Sequence, residues 1–142
     1  MTGIFTESAI HQKSPQELTA LLYEACLTNL EEAIEDIDNK DYLLANKKLQ
    51  KVNDILHRLG AGLNYEAGII ADQLDMLYNY MADKIVEANL TKDVTIIKEV
   101  LQTLEEISAA WHKAMKDKPI APAAGLRSKA LAYEKNVLME DN

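Results

Sequence analysis

Apolar residues recur along this chain at steps of three and four, the period of a helix with one buried side. Leu18, Leu21, Leu22, Ala25, Leu30, Ala33, Ile34 and Ile37 trace a first such line. Ser14 to Glu17 opens it as a capping box, with Pro15 at the first helical position. Asp38-Asn39-Lys40-Asp41 is a polar break. A second helix is predicted from about Tyr42 to about Leu59 on the line Ala45, Leu49, Val52, Leu56, Leu59, widened by Ile55. Gly60, Gly62 and Asn64 are expected to end it, glycine supplying a left-handed cap. A third helix, from about Ala67 to about Asn89, carries Ile70, Leu74, Leu77, Tyr78, Met81, Ile85 and Ala88. Thr91-Lys92-Asp93 offers a new N-cap, and Val94, Ile97, Leu101, Leu104, Ile107, Trp111 and Met115 line a fourth.

No alternating strand pattern occurs. Four helices with short connections predict an all-α, antiparallel four-helix bundle over residues 14–116. Residues 1–13 lack periodicity and read as an N-terminal arm. Pro119-Ile120-Ala121-Pro122 reads as an extended linker within residues 117–142. Leu126, Ala130, Tyr133 and Val137 then predict a short amphipathic fifth helix, and a disordered extension is the competing reading.

The apolar lines are wider than a bundle seam needs. Leu22, Cys26 and Leu27 flank the line of the first helix, and Ile69, Met76 and Tyr80 flank that of the third. The surplus is expected to form a groove for a partner helix or to be covered by the arm or tail. Tyr78 and Tyr80 lie roughly 200° apart on one helix, so one tyrosine faces the bundle and the other faces outward.

Composition narrows the partners. The 142 residues are 48% hydrophobic, enough for one well-formed core. The net charge is −8, and it falls entirely within residues 1–116, because the remaining segment holds as many bases as acids. An acidic body argues against nucleic acid and against anionic membrane surfaces. The single cysteine, Cys26, reads as a buried hydrophobe. Residues 1–13 hold no apolar run and no segment reaches the ~20 apolar residues of a membrane span, so a cytoplasmic protein is expected.

Chemistry is hard to find. The histidines are His11, His57 and His112, and none follows a glutamate by three residues as di-iron bundles require. No Gly-x-Ser-x-Gly or phosphate-binding Gly-x-x-x-x-Gly-Lys occurs. Glu31-Glu32 and Glu105-Glu106 are adjacent residues that point apart on a helix. The expectation is no enzyme, no cofactor and no metal.

Several short motifs together resemble the flagellar secretion chaperone family (FliS). They are Ser14-Pro15-Gln16-Glu17-Leu18, then Leu22-Tyr23-Glu24, Leu77-Tyr78-Asn79-Tyr80-Met81, Glu87-Ala88-Asn89 and the late Trp111. The likeness covers about residues 10–116. It implies an antiparallel four-helix bundle that holds the C-terminal helical region of flagellin before export and presents it to the export gate, without cofactor or ATP. On that resemblance the expected client contacts are Ile10, Leu18, Leu22, Tyr23, Leu74, Tyr78 and Met81, with Leu77 and Trp111 in the core. Two departures are Phe5 where the family's arm carries a tyrosine, and Ala25 where its first helix carries glycine. The tail stripe resembles a client helix and is a candidate to occupy the groove in cis. The alternative to a chaperone is a structural or regulatory bundle that dimerises through the same apolar strip; the free protein is expected to be a monomer or weak homodimer.

Overall fold

The computed structural model describes residues 14–64 and 68–117. Ile10, Phe5 and the expected fifth helix lie outside the described residues, as do the arm and tail that were to flank the bundle. Four helices follow one another: α1 (Pro15–Asp38), α2 (Tyr42–Ala61), α3 (Ile69–Thr91) and α4 (Val94–Asp117). No strand occurs among the described residues. Helix α1 packs on α2 and α4, and α3 packs on the same two, so the helices close into a ring with α1 and α3 diagonal to each other. The all-α bundle read from the periodicity is the fold.

Local chemistry sets the ends. Ser14 Oγ accepts a hydrogen bond from the Glu17 amide at 3.1 Å and donates to the Glu17 carboxylate at 3.2 Å, closing the box that starts α1. At the far end, Lys40 is left-handed (φ 61°). Its amide reaches the Ile37 carbonyl at 2.9 Å, and the Asp41 amide reaches Asp36 at 2.8 Å, which together form a Schellman stop. Asp41 then caps α2 by accepting from the Leu44 amide. The same device ends α3: Lys92 is left-handed (φ 54°), the Asp93 amide bonds the Ala88 carbonyl, and Asp93 Oδ1 accepts from Thr95. Two Lys-Asp turns therefore close the same end of the bundle.

A left-handed lysine costs about 1 kcal/mol that glycine does not. Lys40→Gly is therefore expected to raise stability by roughly 0.5–1 kcal/mol, read as a higher urea midpoint at unchanged m-value. Lys92→Gly should give less, because the Lys92 ammonium also bonds Asn89.

The other inter-helix connection departs from the sequence reading. Helix α2 runs through Gly60, and its cap residue Gly62 has φ −85°, so no left-handed glycine is used there. Gly60 lies where α2 meets α3, and an added methyl would make only an ordinary contact with Asp75 Oδ1 at 3.4 Å. Among the described residues the positive-φ glycine is Gly68 (φ 74°), which caps α3.

The core tapers. Near the Lys-Asp turns Ala33, Ala45 and Ala88 are fully buried, and their small side chains let the helices approach closely. Asn89 donates to Asn46 across α2 and α3 there at 2.6 Å, and Lys48 bridges Asp36 and Glu32 between α2 and α1 at 3.0 and 3.3 Å. At the other end large residues fill the interior: Tyr23, Leu56 and Tyr78 are buried, and Trp111 packs against them as part of the core cluster.

Candidate functional site

Helix α3 is apolar on two opposite sides. One side carries Ala71, Tyr78, Met81, Ala82, Ile85 and Ala88 into the core. The other carries Ile69 (73% exposed), Met76 (71%), Tyr80 (57%) and Leu90 (81%) into solvent. At 100° per residue these four fall within a sector about 80° wide, facing almost directly away from the buried side. Val86 borders them, half exposed. The line runs for about 30 Å along the helix. Asp72, Asp83 and Glu87 lie exposed among these residues and make the strip both greasy and acidic.

The strip continues at the turn end. Tyr42, Leu43 and Leu44 are exposed in the first turn of α2. The Asn46–Asn89 bond places this turn beside the last turn of α3. Lys84 borders Tyr80, with its ammonium 5.7 Å from the ring centre, and pairs with Glu87 at 3.4 Å. Singly exposed apolar residues are ordinary on protein surfaces, but a row of them along one helix marks a face built to be covered.

Beneath this face, the diagonal of the bundle is bridged by two phenols. Tyr23 and Tyr78 share a hydrogen bond at 2.5 Å between their hydroxyls. Burial raises both acidities' pKa above the usual tyrosine range, Tyr78 furthest because Tyr23 stands against it. Tyr23 also meets Trp111 edge to face, ring centres 6.2 Å apart. Trp111 Nε1 is buried without a hydrogen-bond partner among the described residues. Cys26 is fully buried, and desolvation pushes its thiol up to about 12, which makes it unreactive at neutral pH.

The residues expected to touch a client divide by burial. Leu22, Tyr23, Tyr78 and Met81 are buried, and the structure brings Tyr23 and Tyr78 into direct contact. Leu18 and Leu74 are half-buried. Ile10 lies outside the described residues. Of the two tyrosines in the Leu77–Met81 motif, Tyr78 faces the core and Tyr80 faces out. The surplus on α1 goes inward, with Leu22 and Cys26 buried and Leu27 packed on the core. The surplus on α3 remains outside. Leu90, Val86 and the Tyr42–Leu44 turn were missed by the sequence reading. The signal for Leu90 was available, because 69, 76, 80 and 90 differ by steps that sum threes and fours.

No group of three His, Cys, Asp or Glu side chains among the described residues is placed to hold a metal. His57 is exposed, and His112 Nδ1 sits 2.8 Å from the Ser108 carbonyl. A shallow depression lined by Glu17, Ala20, Leu21, Glu24 and His112 is open to solvent, and its carboxylates and imidazole have no serine, threonine or cysteine among the lining residues. None of the described helices is long and apolar enough to cross a membrane.

Residues 5–118 match the sequence model of a family described as flagellar protein FliS. The flagellar secretion chaperone FliS of Salmonella typhimurium strain LT2 is 33% identical over 126 residues, covering 87% of this chain and 89% of that protein. The protein of that name from Bacillus subtilis strain 168 is 29% identical over 111 residues, covering 78% of this chain and 83% of its own length. The one from Vibrio cholerae is 27% identical over 111 residues, covering 78% and 82%.

Proposed function

The chain belongs to the flagellar protein FliS family of secretion chaperones, and from that premise we propose that it binds the C-terminal helical region of flagellin in the cytoplasm. By covering that region it keeps flagellin from polymerising prematurely and delivers it to the flagellar export apparatus.

The observation that carries the reading is the outward apolar line Ile69, Met76, Tyr80 and Leu90 on a helix whose other side is already buried. A disordered client pays for its own ordering when it folds against a partner, so the surface must be long and apolar enough to offset that cost. A 30 Å line takes about five turns of a client helix. Met and Tyr suit such a surface, the first by its adaptable shape and the second by its large area with few rotors.

Of the contacts expected from the sequence, Leu18 and Leu74 are accessible enough to meet a client directly. Leu22, Tyr23, Tyr78 and Met81 act from beneath, by fixing the helices that carry the face. Ile10 remains a candidate from the arm. Binding and release need no covalent step, which accords with a chaperone rather than an enzyme.

The test is size-exclusion chromatography of the full chain with and without a flagellin C-terminal peptide. A one-to-one complex is the expected result. A dimer whose elution ignores the peptide would overturn the reading in favour of a self-associating bundle.

A further inference from the structure

We propose that the C-terminal segment 126–138 of this same chain docks along the outer side of α3, covering Ile69, Met76 and Tyr80 until a client displaces it. Three observations converge on that occupant. The first is position. In the antiparallel bundle α4 ends at Asp117 beside the start of α3, at the end where the strip begins with Ile69. Residues 118–125, extended, span up to about 26–29 Å, and neighbouring helix axes lie only about 8–10 Å apart. The segment therefore reaches the outer side of α3 without strain.

The second is pattern. Leu126, Ala130, Tyr133 and Val137 share one register of a helix. Thirteen helical residues span about 20 Å, which matches the distance along α3 from Ile69 past Tyr80. The third is charge. Residues 126–138 contain Arg127, Lys129 and Lys135 against Glu134 alone, a net of +2. The α3 strip contains exposed Asp72 and Asp83, with Glu87 paired to Lys84, and residues 14–116 carry the whole −8 of the chain. A basic amphipathic segment tethered within reach of an acidic apolar strip has a high effective concentration there. Competition with flagellin rests on the function proposed above; the docking itself does not.

The experiment uses the full chain with paired cysteines under mild oxidation. Cys26 is buried, which leaves the introduced thiols to pair with each other. Met76→Cys with Tyr133→Cys is expected to form an intramolecular disulfide at monomer mass. The control Glu31→Cys with Tyr133→Cys, on the outer side of the diagonal helix α1, is expected not to. A disulfide found only in dimers would assign the strip to a second copy, and equal crosslinking of the control would show an unanchored tail; either result overturns the proposal. In parallel, Leu126→Asp with Val137→Asp in the full chain is expected to tighten flagellin-peptide binding about tenfold, the gain from freeing a face that is nine-tenths occupied. Unchanged affinity with a clean crosslink would overturn the competition and keep the docking. A crosslink without any peptide binding, in either variant, would count against the flagellin reading alone.

Discussion

Replacing both Met76 and Tyr80 with aspartate is expected to weaken binding of a flagellin C-terminal peptide at least about 100-fold while the bundle stays folded. Both side chains are mostly exposed in the free protein, so their loss removes little packing. Aspartate is a weaker helix former than either, by a few tenths of a kcal/mol per site. The complex pays twice. Each substitution deletes apolar area that the client would cover, and each leaves a carboxylate to be desolvated beneath an apolar client face. Residues central to an interface cost about 1–3 kcal/mol apiece when lost. Two at about 1.4 kcal/mol each, in the lower half of that range, give about 2.8 kcal/mol, or 100-fold. Lys84, beside Tyr80 and paired with Glu87, offsets part of the charge introduced at position 80 and none of the lost apolar area.

Titration calorimetry reads the affinity and a urea melt reads the fold. Full affinity in the double variant would remove the outer side of α3 from the binding site. Loss of affinity in Leu18→Ala or Leu74→Ala instead would move the site toward the flank where those half-buried residues lie. A melt that collapses along with binding would mean the two side chains support the fold, contrary to their exposure.

The fold was legible because each helix carries its own punctuation. Ser14 with Glu17 and the Thr91-Lys92-Asp93 stretch read as caps, and Ser14 and Asp93 cap their helices in the structure, while Asp41, read only as part of a polar break, caps α2. The end of α2 was less legible. Gly60 looks like a stop in sequence, yet α2 runs through it to Ala61. The site was legible in part. Periodicity identifies which residues of α3 are surplus, and Ile69, Met76 and Tyr80 are indeed outside. On α1 the same criterion fails, because at 100° per residue Leu22 and Cys26 fall within the arc of Leu30, Ala33 and Ile37 and belong to the buried side itself. Glu87-Ala88-Asn89 shows a family motif resolved into physics: Ala88 permits close packing, Asn89 ties α3 to α2, and Glu87 pairs with Lys84.

The paired phenols make the protein sensitive to alkali, and a mutant cycle isolates their share. Burial, the larger cause, holds both Tyr23 and Tyr78 protonated above their usual value of 10.0. The folded state therefore binds more protons than the unfolded chain once pH passes about 10, and stability falls as pH rises further. Below that point the contribution is fully present. Each tyrosine steepens the decline by up to about 1.4 kcal/mol per pH unit. Cys26 adds to it earlier, from its usual value of 9.0 up to about 12. Urea midpoints measured at pH 8 and pH 11 are expected to differ by more in the natural protein than in Tyr23→Phe/Tyr78→Phe. At pH 8, Tyr78→Phe alone is expected to cost about 1–3 kcal/mol, because it strands the Tyr23 hydroxyl in the core. The double variant should recover most of that, since two apolar rings leave no hydroxyl unpaired. If the double variant were instead as weak as the sum of the singles, the 2.5 Å contact would not be the bond that holds the diagonal. The remaining stability there would then rest on ring packing of Tyr23 against Trp111.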